Sequence, residues 1–339
     1  METIAPRALE PECAWRTGDL DDAGQWTVTF TDDEREQLDA ALRTARQTSD
    51  DVLQLSAQHF PLGSLRERLS DINNELINGR GFVRLRGIER DRYSDLEMEL
   101  IYWGIGTHLG SPWAQNKHGH VLGDVIDQGK AINDPTSRGN EIGGSALPFH
   151  CDGSDLVGLL CLQNGRAGGL SLVANSVMLH NRMVDEAPDL VAELYQPQPY
   201  DYRGEQAAGR RGWYELPVFT DWDDRLFVRC IPPYIKASQR LDDAPRLTET
   251  AKAALDLLVE WADDPSHHVA MELEPGDIQL INNFHVMHGR TSYEDDRSSG
   301  AVRHLKRLWL ESPLLTSRPP HFENGTFRHW EADRTVSRL

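Results

Sequence analysis

The stretch VGLLCLQNGRAGGLSLVANS, residues 157–176, sets two short apolar runs either side of the break Asn-Gly-Arg-Ala-Gly-Gly. Each run is only a few residues long and is bounded by turn-forming residues, so each reads as a strand. Outward in both directions the pattern recurs: VLGDVID (121–127), GWYELPVF (212–219), RLFVRC (225–230), HVAMEL (268–273), DIQLIN (277–282) and HLKRLWL (304–310). Gly, Pro, Asp and Asn punctuate these runs. Many short strands joined by long loops predict a mainly β core, built as a sandwich or a jelly-roll barrel; periodicity alone does not separate the two.

Helical signals flank this core. Thr31-Asp32-Asp33-Glu34 is a capping box opening one helix, Ser64-Leu65-Arg66-Glu67 opens a second that ends near Gly79, and Tyr93 to Ile105 reads as a third. GFVRLRGI (81–88) alternates as a strand, and further helices are expected near 176–195 and 247–264. With no internal repeat or low-complexity linker, the expectation is one domain over 1–339. It has a mostly helical N-terminal layer (1–80), a β core (81–311) with a helical insert near 176–265, and a C-terminal tail (312–339).

The 339 residues carry a formal net charge of -19. So negative a surface repels nucleic acid and anionic membranes, so neither is an expected partner. Cys13, Cys151, Cys161 and Cys230 form no C-x-x-C pair, and METIAPRALEPECAW lacks the layout of a signal peptide. The expectation is reduced thiols in a cytoplasmic protein.

Chemistry concentrates in three places. In LPFHCDGSD (147–155), His150 and Asp152 stand two apart, so on a strand both point to one face and can reach one ion, while Cys151 points away. One imidazole and one carboxylate are two thirds of a 2-His-1-carboxylate iron site. In EPGDIQLINNFHVMHGRTSYED (274–295), His285 and His288 stand three apart, so only one can join that ion. His288 is chosen, because it sits in His-Gly-Arg after the apolar run, and His285 reads as a packed strand residue. In RHLKRLWL (303–310), Arg303, Leu305, Arg307 and Trp309 share one parity, and inward-facing guanidinium groups call for anions such as a carboxylate.

Together these segments resemble the taurine dioxygenase and clavaminate synthase-like family of iron(II)- and 2-oxoglutarate-dependent oxygenases. In that family an H-x-D/E pair is followed by a distant histidine and, over a dozen residues later, an arginine. Here 138 positions separate His150 from His288 and 15 separate His288 from Arg303. His-Gly-Arg at 288–290, Arg-x-Leu-x-Arg at 303–307 and GGLSLVANS at 168–176 also look like the family, and the resemblance spans roughly residues 80–311.

The resemblance implies a double-stranded β-helix (jelly-roll) barrel with Fe(II) held by His150, Asp152 and His288. It implies that Arg303 binds the distal carboxylate of 2-oxoglutarate and that Ser171 stands where a hydroxyl helps hold it. Arg307 is a second co-substrate contact or a substrate anchor, with the two arginine roles left open. Dioxygen is the remaining co-substrate, and succinate and carbon dioxide leave. The implied outcome is hydroxylation, desaturation or cyclisation of a small-molecule substrate, amino-acid-like or a specialised metabolite. Related halogenases lack the carboxylate present here as Asp152, which argues for oxygenation. Trp113, Gln115 and Asn116 lie where the family often lines its substrate pocket. The alternative is a catalytically silent or zinc-binding barrel acting as a binding module. The oligomeric state is left open.

Overall fold

The computed structural model describes residues 6–9, 14–130, 134 and 137–326. Cys13 and residues 327–339 of the expected tail lie outside the described residues. Two β-sheets form the centre. In the larger, the strands run in the order Thr27–Thr29, Phe82–Arg86, Ile278–Asn282, Leu156–Gln163, His304–Glu311 and Ser111–Pro112, and Leu122–Ile126 also pairs with His304–Glu311. The smaller sheet has the order His268–Met271, Ser171–Asn175, Val286–Arg290, Leu147–His150. Every pairing in these two sheets is antiparallel except that between Thr27–Thr29 and Phe82–Arg86, a short edge that the sequence pattern did not predict.

The unbroken apolar run at 156–162 follows from burial on both faces of its strand. Leu156, Leu160 and Leu162 face a core shared with the helices Asp32–Thr48, Leu65–Asn78 and Asp95–Leu109. Val157 and Cys161 face the opposite way, into the layer between the two sheets, with Phe82, Val173, Val269, Ile281, Val286, Leu305 and Trp309. The outer face of the smaller sheet is covered by the helices Ser176–Glu186, Pro188–Leu194 and Glu249–Asp263 through Leu172, Ala174, Leu179, Val191, Leu255 and Leu258. The chain is therefore layered as helices, large sheet, apolar core, small sheet, helices. The insert near 176–265 also holds two hairpins and the helix Pro232–Ser238, whose prolines sit in the first turn, where they displace no helical hydrogen bond.

The helix starts follow the capping chemistry, with one difference. Thr31 caps its helix in a reciprocal box with Glu34. Ser64 is itself helical and makes no cap bond. Gln37 takes over from the neighbouring helix, accepting from the Leu65 N–H at 3.1 Å and donating to the Ser64 hydroxyl at 3.0 Å. No helix among the described residues is long and apolar enough to cross a membrane.

Candidate metal centre and adjoining cavity

His150 ends one strand of the smaller sheet, and His288 lies directly across from it on the antiparallel neighbour. Their rings are 4.2 Å apart, centroid to centroid. Asp152 follows two residues after His150. Its backbone is clamped by the buried amide of Asn283, which accepts from the Asp152 N–H at 2.7 Å and donates to the carbonyls of Asp152 (2.7 Å) and Ser154 (3.0 Å). This brings the Asp152 carboxylate 3.9 Å from His150 Nε2 and 3.8 Å from His288 Nε2. One donor atom from each of the three residues lies within 4.8 Å of the others, the span of a single coordination sphere.

The protonation states suit a divalent ion. Burial pushes both imidazoles below their ordinary range, and with repulsion from His150 it takes His288 down to about 3. His150 Nδ1 lies 2.9 Å from the Pro148 carbonyl, so that nitrogen carries the proton and Nε2 keeps its lone pair for a metal. Burial opposes ionisation of Asp152, but the Arg307 charge and the hydrogen bond from the Trp309 indole favour the carboxylate, and the carboxyl is held below its usual range. Two neutral imidazoles and one carboxylate form the donor set of a facial iron triad.

A cavity of about 310 Å³ opens from this cluster, with His150 and Asp152 on its wall. Arg307 lines it and donates from Nε to Gln115 Oε1 at 2.8 Å, with Nη1 3.5 Å from Asp152 Oδ2. Gln115 is buried in the lining and is fixed by its own bonds to the carbonyls of Val121 and Arg307. Trp113 and Asn116 lie off this cavity. Trp113 belongs to the layer between the sheets, and Asn116 staples its own loop through His118 and His120.

Arg303 is not in the cavity lining; it is buried, with Nη1 lacking a hydrogen-bond partner among the described residues. Burial and the neighbouring charge of Arg290 push its guanidinium down to about 10. Its approach depends on Gly169, where φ is +78° and a Cβ would sit 2.8 Å from Arg303 Nε. The Tyr293 ring lies between two guanidinium groups, 4.6 Å from Arg290 and 5.3 Å from Arg303. A buried cation with an open donor is a partner for a carboxylate. Ser171 is buried on the adjacent strand, where its hydroxyl donates to Gln279.

Sequence reasoning missed several residues around the cluster. Arg290 stands two after His288, so strand parity sends it to the same side. It lines the cavity and donates to the Ser145 carbonyl at 2.8 Å. Asn283 was signalled only by its place in the Asn-Asn turn before His285. Arg203, Tyr214, Arg229 and Tyr234 come from the insert, and no local pattern marks them as lining residues.

A family model described as Taurine catabolism dioxygenase TauD, TfdA family matches residues 44–309. FR-33289 synthase of Streptomyces rubellomurinus is 31% identical over 313 residues, 91% of this chain and 92% of that protein. Among solved structures, asparagine oxygenase superposes with a TM-score of 0.63 at 19% identity, covering 88% of this chain and 97% of its own. The non-heme iron oxygenase OrfP in complex with Fe and alpha-ketoglutaric acid gives 0.60 at 21% identity, covering 85% and 94%. These two share the fold. The chain belongs to the TauD/TfdA family, and it is an iron(II)- and 2-oxoglutarate-dependent oxygenase.

Proposed function

We propose that His150, Asp152 and His288 hold the iron, that Arg303 binds the distal carboxylate of 2-oxoglutarate, and that Arg307 faces the primary substrate. The reaction we assign is hydroxylation of a small, amino-acid-like or specialised metabolite, within one oxygenase domain whose two sheets form a double-stranded β-helix. The observation that carries this reading is the convergence of three donors within 4.8 Å at the wall of a cavity that Arg290 and Arg307 also line, with the buried, open-donor Arg303 sharing the Tyr293 ring with Arg290.

The two arginines divide by environment. Arg303 is enclosed among Gly169, Tyr293 and Arg290, away from the cavity. Arg307 is engaged with Gln115 and Asp152 and faces the open volume. Ser171 supports the co-substrate side through its register with Arg290 on the neighbouring strand. An anion clamp has no use in a silent or zinc-binding module, which favours the enzyme. The free, buried Cys151, Cys161 and Cys230 suit a reducing compartment such as the cytoplasm.

Iron with 2-oxoglutarate supplies the oxidising chemistry when bound, releasing succinate and carbon dioxide. The chain's own part is to hold two imidazoles neutral and one carboxylate charged, to orient the diacid through a fixed guanidinium, and to place a substrate C–H bond against the metal in a cavity that restricts water. Addition of Fe(II) and 2-oxoglutarate without oxygen should produce a weak visible charge-transfer band. Succinate release under oxygen, screened over candidate metabolites, then identifies the substrate. No band, tight zinc binding and no succinate would leave the binding-module reading standing.

A further inference from the structure

The charges lining the cavity do not balance on the side away from the co-substrate arginine. Five arginines line it: Arg138, Arg203, Arg229, Arg290 and Arg307. Arg138 is matched by Glu205 at 2.5 Å, Arg307 faces Asp152, and Arg290 stands with Arg303 around Tyr293. Asp201 is taken by Arg240 at 2.8 Å. Arg290 has no ion pair either, but it stands with Arg303 on the co-substrate side; on the insert side Arg203 and Arg229 remain, and no ion pair holds either among the described residues.

Arg229 is the more telling of the two. It is 2% exposed, and its Nε has no hydrogen-bond partner among the described residues. A buried cation left without an anion is costly, so a fold that retains one does so for a ligand. Its position is controlled: its carbonyl accepts from the Tyr200 hydroxyl at 2.5 Å, its N–H donates to Val218 at 2.8 Å, and Tyr214 bonds its side chain. Its guanidinium reaches Gly153, the residue after the metal ligand Asp152, where a Cβ would sit 3.0 Å from Nη2. The charge therefore stands beside the metal loop, at a point where a side chain would block access. Arg203 donates from Nη2 to the carbonyls of Asp134 and Ser137, leaves Nε without a partner, and lies 5.3 Å from the Tyr234 ring. Tyr234 lines the same cavity as Arg138, Arg203, Asp152 and Arg307.

The two unmatched guanidinium groups on the insert side call for two negative charges there, and their forked donors match a phosphoryl oxyanion. We infer that the primary substrate carries a doubly charged phosphoryl-type acid, a phosphate or a phosphonate, seated against Arg229 and Arg203. This rests on the oxygenase reading above and specifies its substrate class. The acid would fix one end of the molecule by Gly153 and so set which C–H bond meets the metal.

The test uses the full chain loaded with Fe(II) and 2-oxoglutarate without oxygen, titrated calorimetrically with inorganic phosphate, methylphosphonate and acetate. Phosphate and methylphosphonate should bind at least tenfold more tightly than acetate. Arg229→Gln should weaken methylphosphonate binding tenfold or more, and Arg229→Lys should restore part of it. Arg203→Gln, at a half-buried position where folding is under little threat, should weaken it severalfold. Acetate binding as well as phosphate, or methylphosphonate affinity unchanged in both glutamine variants, would overturn the inference; the second outcome places the anion elsewhere, the metal included. Failure of the wild type to bind 2-oxoglutarate in the same cell would instead sink the oxygenase reading.

Discussion

The indole Nε1 of Trp309 donates to Asp152 Oδ2 across 3.1 Å. The carboxylate of the metal cluster is thus oriented by a strand of the larger sheet, while both histidines belong to the smaller one. Partners that orient a ligand in this way typically contribute one to two orders of magnitude in metal affinity. Trp309→Phe, which keeps the ring and removes the donor, should weaken Fe(II) binding roughly tenfold. A metal titration followed by the 2-oxoglutarate charge-transfer band measures it, and an unchanged affinity would show that the indole only fills space.

Asp152→Ala removes the single anionic ligand. Succinate release should disappear, while the unfolding free energy should move by no more than about 2 kcal/mol, because the Asn283 clamp acts on the backbone of the loop. Turnover at the wild-type rate would mean that Asp152 is misassigned.

The two arginines should separate kinetically. A charged hydrogen bond contributes about 1.5–3 kcal/mol, so Arg303→Gln should raise KM for 2-oxoglutarate roughly 10–100-fold. Arg307→Gln should act mainly on the primary substrate and loosen Gln115, whose Oε1 it bonds. The reverse pattern in steady-state kinetics would exchange the two roles.

His285 predicts a pH dependence of stability. It is buried, its Nδ1 has no partner among the described residues, and burial followed by the charge of Arg225 takes it from 6.5 to about 4. The unfolded chain binds a proton at this residue below its higher unfolded value while the native state stays neutral. Stability is therefore full above that value and falls as pH drops towards the folded one. Between about pH 7.5 and pH 5 the contribution is roughly 2 kcal/mol. Denaturant titrations of His285→Gln at the two pH values should show a loss on acidification smaller by that amount. Equal losses in both proteins would place the acid sensitivity elsewhere.

Much of the architecture was legible because its signals are local. The Thr31 box, the alternation at 82–86 and the apolar strand at 156–163 each report which neighbours a side chain meets within one element. The pair His150 and Asp152 was legible for the same reason, since a spacing of two fixes a shared face. The Asp223-Asp224 hairpin turn was less so. Both residues adopt positive φ, at 52° and 59°, a conformation that no glycine in the turn announces. Trp113 and Asn116 shared a loop with Gln115, yet only Gln115 turns towards the cavity, because the Arg307 guanidinium draws it there.

Spacing put His150 and Asp152 on one face, residue type and the family resemblance singled out His288 and Arg303 as candidates, and the short apolar runs marked the strands. Those features are written in periodicity and in donor chemistry, which a linear chain displays openly. Folding settled which of Arg303 and Arg307 is enclosed and which faces the cavity, and it brought Arg229, Arg203 and Tyr234 from the insert to the metal's side. Those relationships arise from contacts between elements far apart in the chain, where burial and unmatched charge come from packing and no local pattern records them.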